Sequence, residues 1–265
     1  MFYNVKEGTI RFQDCSMDYA AFGKGTEPLV LVQGLNMTRL RGGARLQLMR
    51  YKLYAEHFRI YIVDRRDPLP EVITVKDIAD DVVQGLKALG VSRAYVMGNS
   101  QGGMIAQYIA LNYPKLVKKL VLNVTTCGLD PLLEKNVRMW TDIAAGGQTE
   151  EISADMTDKF YYPKPTPKSG PIKNYLYSKQ LRRTPEECRI LTESCLTCDT
   201  YDRLSEIRCP VRVMAGKQDA IISSDSSKRI AEALGIEAIL FEGLGHAAYE
   251  AKEYQEKVLE FLLDS

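Results

Sequence analysis

The stretch Arg93-Ala-Tyr-Val-Met-Gly-Asn-Ser100-Gln-Gly-Gly-Met-Ile-Ala-Gln-Tyr-Ile-Ala-Leu111 decides how the rest of the chain is read. Its opening run, through Met97, is apolar and suits a strand covered on both faces of a sheet. Gly98-Asn99-Ser100-Gln101-Gly102 comes next, and from Gly103 to Leu111 apolar residues fall at every helical phase. Strand, sharp turn and buried helix form the setting in which G-x-S-x-G becomes a nucleophile elbow. Such a turn strains the backbone of its central residue, which persists only where the surroundings over-determine it. A Cβ at Gly98 or Gly102 is expected to collide with the crossing strand or helix. Ser100 is thereby pushed out at the carboxyl edge of the sheet. There the backbone N–H of Gln101, at a helix start, can stabilise a developing oxyanion.

Outward from this point, strands and helices alternate. Gly8–Asp14 and Cys15–Phe22 read as an opening β-hairpin, and Pro28–Gln33 and His57–Asp64 as apolar strands. Val75, Ile78, Val82, Val83, Leu86 and Leu89 recur at helical spacing, with Asp77, Asp80 and Asp81 expected to face away. Leu116–Val124, Pro210–Gly216 and Glu237–Glu242 supply further strands, and Ile230–Leu234 and Tyr249–Leu263 further helices. The pattern predicts an α/β fold: a mostly parallel, eight-stranded sheet with helices on both faces. Between about Leu129 and Arg203 the alternation breaks down. Helical patches at Leu132–Ala145 and Thr184–Leu196 flank a proline-rich run, Tyr162–Pro171, which suits neither a sheet interior nor a continuous helix. The expected organisation is a core of residues 1–128 and 204–265 with a helical lid insertion, 129–203, above Ser100.

A chain of 265 residues suits one such core with an insertion. Its 35 Lys and Arg balance 34 Asp and Glu, which argues against nucleic acid or an anionic membrane as partner. No apolar run is long enough to span a bilayer, and the first residues lack the pattern of a signal peptide, so a cytoplasmic address is expected. In that compartment the six cysteines default to buried thiols. Cys195-x-x-Cys198 has no second such pair, which disfavours zinc. No metal and no organic cofactor is implied.

A serine hydroxyl needs a base, and the chain has two histidines. His57 precedes a strand, at the amino side of the sheet. His246 lies in Gly243-Leu-Gly-His-Ala-Ala248, a loop after a strand, at the edge where Ser100 is expected. The imidazole needs an acid to fix its tautomer. Asp219 follows a strand in Gly216-Lys-Gln-Asp219 and sits at the same edge; its rival Asp225 belongs to a helix start. The order Ser100, Asp219, His246 is the order this architecture uses. A second oxyanion donor is expected after Gln33-Gly34, from the N–H of Leu35 or of Asn36.

These residues resemble the α/β-hydrolase fold superfamily, above all its small lid-bearing serine hydrolases, such as 3-oxoadipate enol-lactonases and esterases. The resemblance covers nearly the whole chain. It is carried by Tyr19…Gly23-Lys-Gly-Thr-Glu-Pro-Leu-Val-Leu-Val-Gln-Gly34, Val63-Asp-Arg-Arg66, Gly98–Gln107, Val211–Asp219 and Gly243–His246. It implies Ser100 as nucleophile, His246 as base, Asp219 as its orienter, and Leu35 with Gln101 as oxyanion donors. Two motifs depart from the family's pattern. Gln33-Gly34 stands where the family has His-Gly, whose histidine braces the oxyanion loop, and Asp64-Arg-Arg-Asp67 stands for Asp-x-Arg-Gly.

The leading expectation is a serine hydrolase that cleaves a carboxylic ester, lactone or thioester through an acyl-enzyme. A carbon–carbon bond hydrolase or cofactor-free haloperoxidase with the same triad is the alternative. A ligand receptor or scaffold that keeps only the fold is the non-enzymatic one. The expected partner is a small-molecule acyl substrate, and a monomer or homodimer is expected. Trp140, Phe160, Tyr161 and Tyr162 line an apolar acyl pocket or form the lid's own small core, and Asn36 is a further candidate for substrate contact. Arg39 and Arg41 either meet a substrate carboxylate or are surface charge.

Overall fold

A computed structural model describes residues 3–163 and 182–264. The apolar runs become β1 (Lys6–Arg11), β2 (Ser16–Phe22), β3 (Pro28–Val32), β4 (Arg59–Val63), β5 (Ala94–Asn99), β6 (Val117–Asn123), β7 (Val211–Gly216) and β8 (Ile239–Phe241). All eight join one sheet in the order β1-β2-β4-β3-β5-β6-β7-β8. The hairpin β1–β2 is antiparallel and pairs antiparallel with β4. Every later pairing is parallel. The expected α/β sheet is thus present; most strand ends fall a residue or two inside the sequence estimate, while β1 starts two residues before it and β5 runs two residues past it.

Alternation within strands sorts their side chains onto two cores. Leu29 and Leu31 of β3 pack with Tyr54, Tyr254 and Val258, while Val30 and Val32 pack with Ile78, Val82 and Ile105. One face is therefore covered by α1 (Ala44–Arg50), α2 (Lys52–Ala55) and α9 (Lys252–Leu263). The other is covered by α3 (Val75–Ala88), α4 (Gln101–Asn112) and α8 (Ser224–Ala233). Thr74 starts α3 with a reciprocal capping box to Asp77, which satisfies backbone donors that the first turn leaves open. The periodic residues Ile78, Val82, Val83 and Leu86 are buried as expected.

Asp81 corrects the reading of that helix. It does not face away: it is 5% exposed, and both its oxygens accept from Arg66, at 2.8 and 2.6 Å. The charge is buried because its partner arrives from the loop after β4, which helical spacing alone cannot show. Between β6 and β7 lie α5 (Pro131–Ala145), α6 (Thr149–Tyr161) and α7 (Pro185–Ser194). α6 went unread, since only Ile152 of its residues is buried and its apolar spacing is sparse. Of the proline-rich run only Tyr162 and Pro163 fall among the described residues.

The order β4-β3-β5 places a topological switch beside β3. The chain leaves β3 for β4 on one side, then crosses to β5 on the other. Crevices open outside the carboxyl ends of strands at such points.

Candidate active site

Ser100 stands at that crevice. Its φ of +56° and ψ of −124° lie far outside the helix that begins one residue later. The strain is held from several sides. The Ser100 N–H donates to Asn123 O at 2.9 Å, and its own carbonyl accepts from Thr125 Oγ1 at 2.8 Å. A Cβ on Gly98 would lie 2.3 Å from Gly102 O, and one on Gly102 would lie 1.9 Å from Val32 O. Both glycines are therefore required by backbone contact, as the motif predicts.

His246 and Asp219 come from the loops after β8 and β7. Their side chains are almost fully enclosed, at 4% and 1% exposed, with Nδ1 of the imidazole 2.7 Å from Asp219 Oδ2. The other carboxylate oxygen, Oδ1, accepts the N–H groups of Ile221 and Ile222 at 2.8 and 3.0 Å. Those two bonds fix the plane of the carboxylate. Glycine again makes the approach possible, because a Cβ on Gly216 would lie 2.2 Å from Gly245 O. His57 is exposed at the amino end of β4, away from this edge. Asp225 pairs with Lys228 at the start of α8. Asp130, after β6, is also buried, yet its oxygens are taken by Leu133 N–H, Ser226 Oγ and Ser223 N–H.

Ser100 and His246 share the wall of a cavity of about 360 Å³. Leu35, Asn36, Trp140, Phe160 and Tyr161 line it too, so the sequence candidates converge. Phe160 stands edge-on to His246 with ring centroids 5.8 Å apart. Trp140 serves both readings, lining the cavity while its indole N–H donates to Asp155 within the insertion at 2.7 Å. Tyr162 does not join them; it is 55% exposed. The wall is mixed: beside apolar side chains such as Leu35, Met104 and Leu133, Gln33, Asn36, Thr38, Gln47, Arg50 and Thr157 contribute polar groups from α1, α6 and the loop after β3. Arg39 and Arg41 lie outside the cavity lining. Arg39 pairs with Asp67 and Glu187, and Arg41 with Asp18, which is the surface-charge reading.

The loop after β3 passes against the nucleophile. A Cβ on Gly34 would lie 3.2 Å from Ser100 Cβ. What holds this loop was missed in the sequence. Arg65 is 6% exposed and sends Nη2 to Gln33 O at 2.9 Å and to Gln101 Oε1 at 2.7 Å. Burial pulls its guanidinium down to about 10, partly offset by Asp64, so it stays cationic at neutral pH. Asp64 Oδ1 accepts from Arg183 Nη2 at 2.6 Å, and Oδ2 from the Leu40 N–H at 2.8 Å. The backbone N–H of Arg183 in turn donates to Met37 O at 3.0 Å. The signal available was Asp64-Arg65-Arg66 itself, read only as a departure from a motif.

A second buried chain of hydrogen bonds runs behind the serine. Tyr254 donates to Asn123 Oδ1, Asn123 to Asn99 Oδ1, and Asn99 to Tyr51 Oη, at 2.9, 2.8 and 3.0 Å. It pins the carboxyl ends of β5 and β6. The CxxC thiols offer no contrary chemistry: both are buried, and burial pushes Cys195 up to about 12. A thiolate ligand or redox thiol needs the opposite shift.

Residues 11–155 match the family model of the alpha/beta hydrolase fold. A 2-hydroxy-6-oxononadienedioate/2-hydroxy-6-oxononatrienedioate hydrolase of Paraburkholderia phymatum is 27% identical over 98% of this chain and 94% of its own. RutD of Caulobacter sp. (strain K31), whose name assigns it provisionally to carbamate hydrolysis, is 27% identical over 77% of this chain and 81% of its own. Among solved structures, the enol-lactonase of Burkholderia xenovorans LB400 superposes with a TM-score of 0.82 at 16% identity, covering 97% of this chain and all (100%) of that one.

Proposed function

The chain belongs to the α/β-hydrolase fold family and is a hydrolase, and from that premise we propose that it is a serine hydrolase acting through Ser100, His246 and Asp219. One observation carries the reading. The strained serine at the elbow and an imidazole bound to a buried carboxylate at 2.7 Å open onto one cavity.

Asp219 accepts the Nδ1–H, which leaves Nε2 as the lone-pair nitrogen able to take the serine proton. Ser100 Oγ then attacks the substrate carbonyl, and its proton passes to His246. The carbonyl oxygen becomes an oxyanion facing the N–H groups of Gln101, at the head of α4, and Leu35. Collapse expels the leaving group with the proton from His246 and leaves an acyl-enzyme. Water, deprotonated by the same imidazole, releases the acid and frees Ser100. The helices between β6 and β7 act as the lid, with Trp140, Phe160 and Tyr161 facing the reaction.

The substrate class is a carboxylic ester, lactone or thioester. The polar groups of the wall favour an acyl group bearing hydrogen-bonding groups of its own over a plain hydrocarbon chain. The same wall, with a relative named for an oxo-dicarboxylate, supports a second reading: cleavage of a carbon–carbon bond beside a ketone. A fluorophosphonate probe tests the nucleophile. Labelling of Ser100 that disappears in Ser100→Ala supports the reading; an unlabelled wild type overturns it. A panel of short esters, lactones, thioesters and vinylogous keto acids then separates the two substrate classes.

A further inference from the structure

A single guanidinium lies beneath both halves of the oxyanion site. Its Nη2 is 2.9 Å from Gln33 O, 3.4 Å from Gly34 O and 2.7 Å from Gln101 Oε1. Gln33 and Gly34 lead directly into Leu35, and Gln101 follows the nucleophile. The backbone segments that carry the two donors are thus tethered, from opposite sides, to one rigid planar cation. Gln101 is held at its other end as well, since Nε2 donates to Leu191 O at 2.8 Å and to Ser194 Oγ at 3.0 Å. Its amide therefore cannot swing away without leaving several buried groups unpaired.

Charge adds to geometry. Asp64 is 8% exposed, Arg65 6% and Arg183 3%, and the carboxylate of Asp64 is paired with Arg183, at 2.6 Å, while the Arg65 guanidinium bonds to carbonyl and amide oxygens. Asp81, the next carboxylate, is bound by Arg66. Among the described residues, no carboxylate forms an ion pair with Arg65. A charge enclosed in this way interacts strongly with any negative charge that forms nearby.

We propose that Arg65 is a positioning residue of the oxyanion hole. It fixes the spacing of the Leu35 and Gln101 N–H groups, and the surplus charge of the Asp64–Arg65–Arg183 cluster favours the tetrahedral oxyanion over the planar carbonyl. The proposal rests on the serine-hydrolase reading above. Interactions of this kind act on the transition state and leave ground-state binding largely alone.

The test compares Arg65→Met and Arg65→Lys with wild type on p-nitrophenyl acetate, with sites counted by fluorophosphonate titration so that only folded enzyme enters kcat. Phenylboronic acid provides the second readout, because its boron takes up the Ser100 oxygen to give a tetrahedral anion while the proton passes to His246. Arg65→Met is expected to lower kcat roughly 10- to 100-fold and to weaken phenylboronic acid by a similar factor, with KM changed less than about threefold. Arg65→Lys, which keeps the charge but not the fork, is expected to fall between. If Arg65→Met does not fold, Gln101→Ala cuts one tether and is expected to move kcat and boronate affinity in the same direction. The proposal is overturned if kcat and boronate affinity stay within about threefold of wild type, or if KM rises as much as kcat falls. A wild type that the fluorophosphonate never labels is a different failure, seen before any variant is made, and it removes the hydrolase mechanism itself.

Discussion

The elbow at Gly98–Gly102 and the loop at Gln33–Leu40 meet at the same serine, but they are held there by different means. The elbow is a backbone construction: strand β5, helix α4 and two glycines whose missing Cβ atoms leave room for Gly102 O and Val32 O. The loop is held from beneath by side chains distant in sequence. Arg65 comes from the end of β4, Arg183 from the approach to α7, and Asp64 binds the Leu40 N–H. One half of the site follows from local sterics, the other from ionic groups that only the folded chain brings together.

The largest effects belong to the groups that take part in bond making. Ser100→Ala or His246→Ala is expected to lower kcat about 10⁴- to 10⁶-fold on whichever ester proves a substrate, with the fold intact by circular dichroism. A loss under tenfold places the chemistry elsewhere.

A pair of glycine variants then separates the two halves directly. Gly102→Ala sets a Cβ 1.9 Å from Val32 O, a backbone atom of a central strand that cannot yield, so the expected outcome is no soluble folded protein. Gly34→Ala sets its Cβ 3.1 Å from Asn99 O and 3.2 Å from Ser100 Cβ, contacts that the loop can relieve by shifting a few tenths of an ångström. This variant is expected to fold, and to lose on the order of tenfold in kcat because the oxyanion donors are displaced. Equal behaviour of the two variants, in melting and in rate, would erase the distinction.

The same distinction explains what could be read in advance. Ser100, His246 and Asp219 were legible because each sits in a short local signature at the end of an apolar strand, and strand alternation places such ends at one edge. Leu35 and Gln101 are proposed as oxyanion donors on their backbone positions alone. The Gln101 side chain, with its bonds to Arg65 and Leu191, left no local trace. Asp81 was assigned to solvent because helical spacing reports a face and not a partner. α6 was missed for a related reason: it caps the cavity with few buried residues of its own.

Asp64 probes the side-chain half by itself. Asp64→Asn keeps the shape and removes the carboxylate that pairs with buried Arg183, whose Nη2 is then 2.6 Å from a neutral oxygen. Breaking one partner of a buried ionic cluster costs about 3 kcal/mol or more, read as the fall in unfolding free energy in urea. The comparison predicts that the oxyanion donors loosen as well, so the rate should fall along with stability. Stability lost with the rate unchanged would show that the loop keeps its geometry without the cluster, and would shift its support to the backbone bond between Arg183 and Met37.

The smallest effect is expected from charges near the same loop that are not part of its support. Arg41 lies one residue beyond Leu40, but it points outward to Asp18 Oδ1 at 2.9 Å and to Thr9, with 59% of its side chain exposed. Solvent screens such a pair, and the chains that form it lose freedom in doing so. Arg41→Ala is therefore expected to leave the melting temperature within about 1 °C and KM unchanged for neutral and anionic esters alike. A rise in KM confined to anionic esters would place the guanidinium at the cavity mouth, and would make the ionic support of the loop continuous with substrate recognition. Without that rise, the division holds at this edge too: charge matters to the site where it is enclosed beneath Gln33 and Gly34, and not where water reaches it.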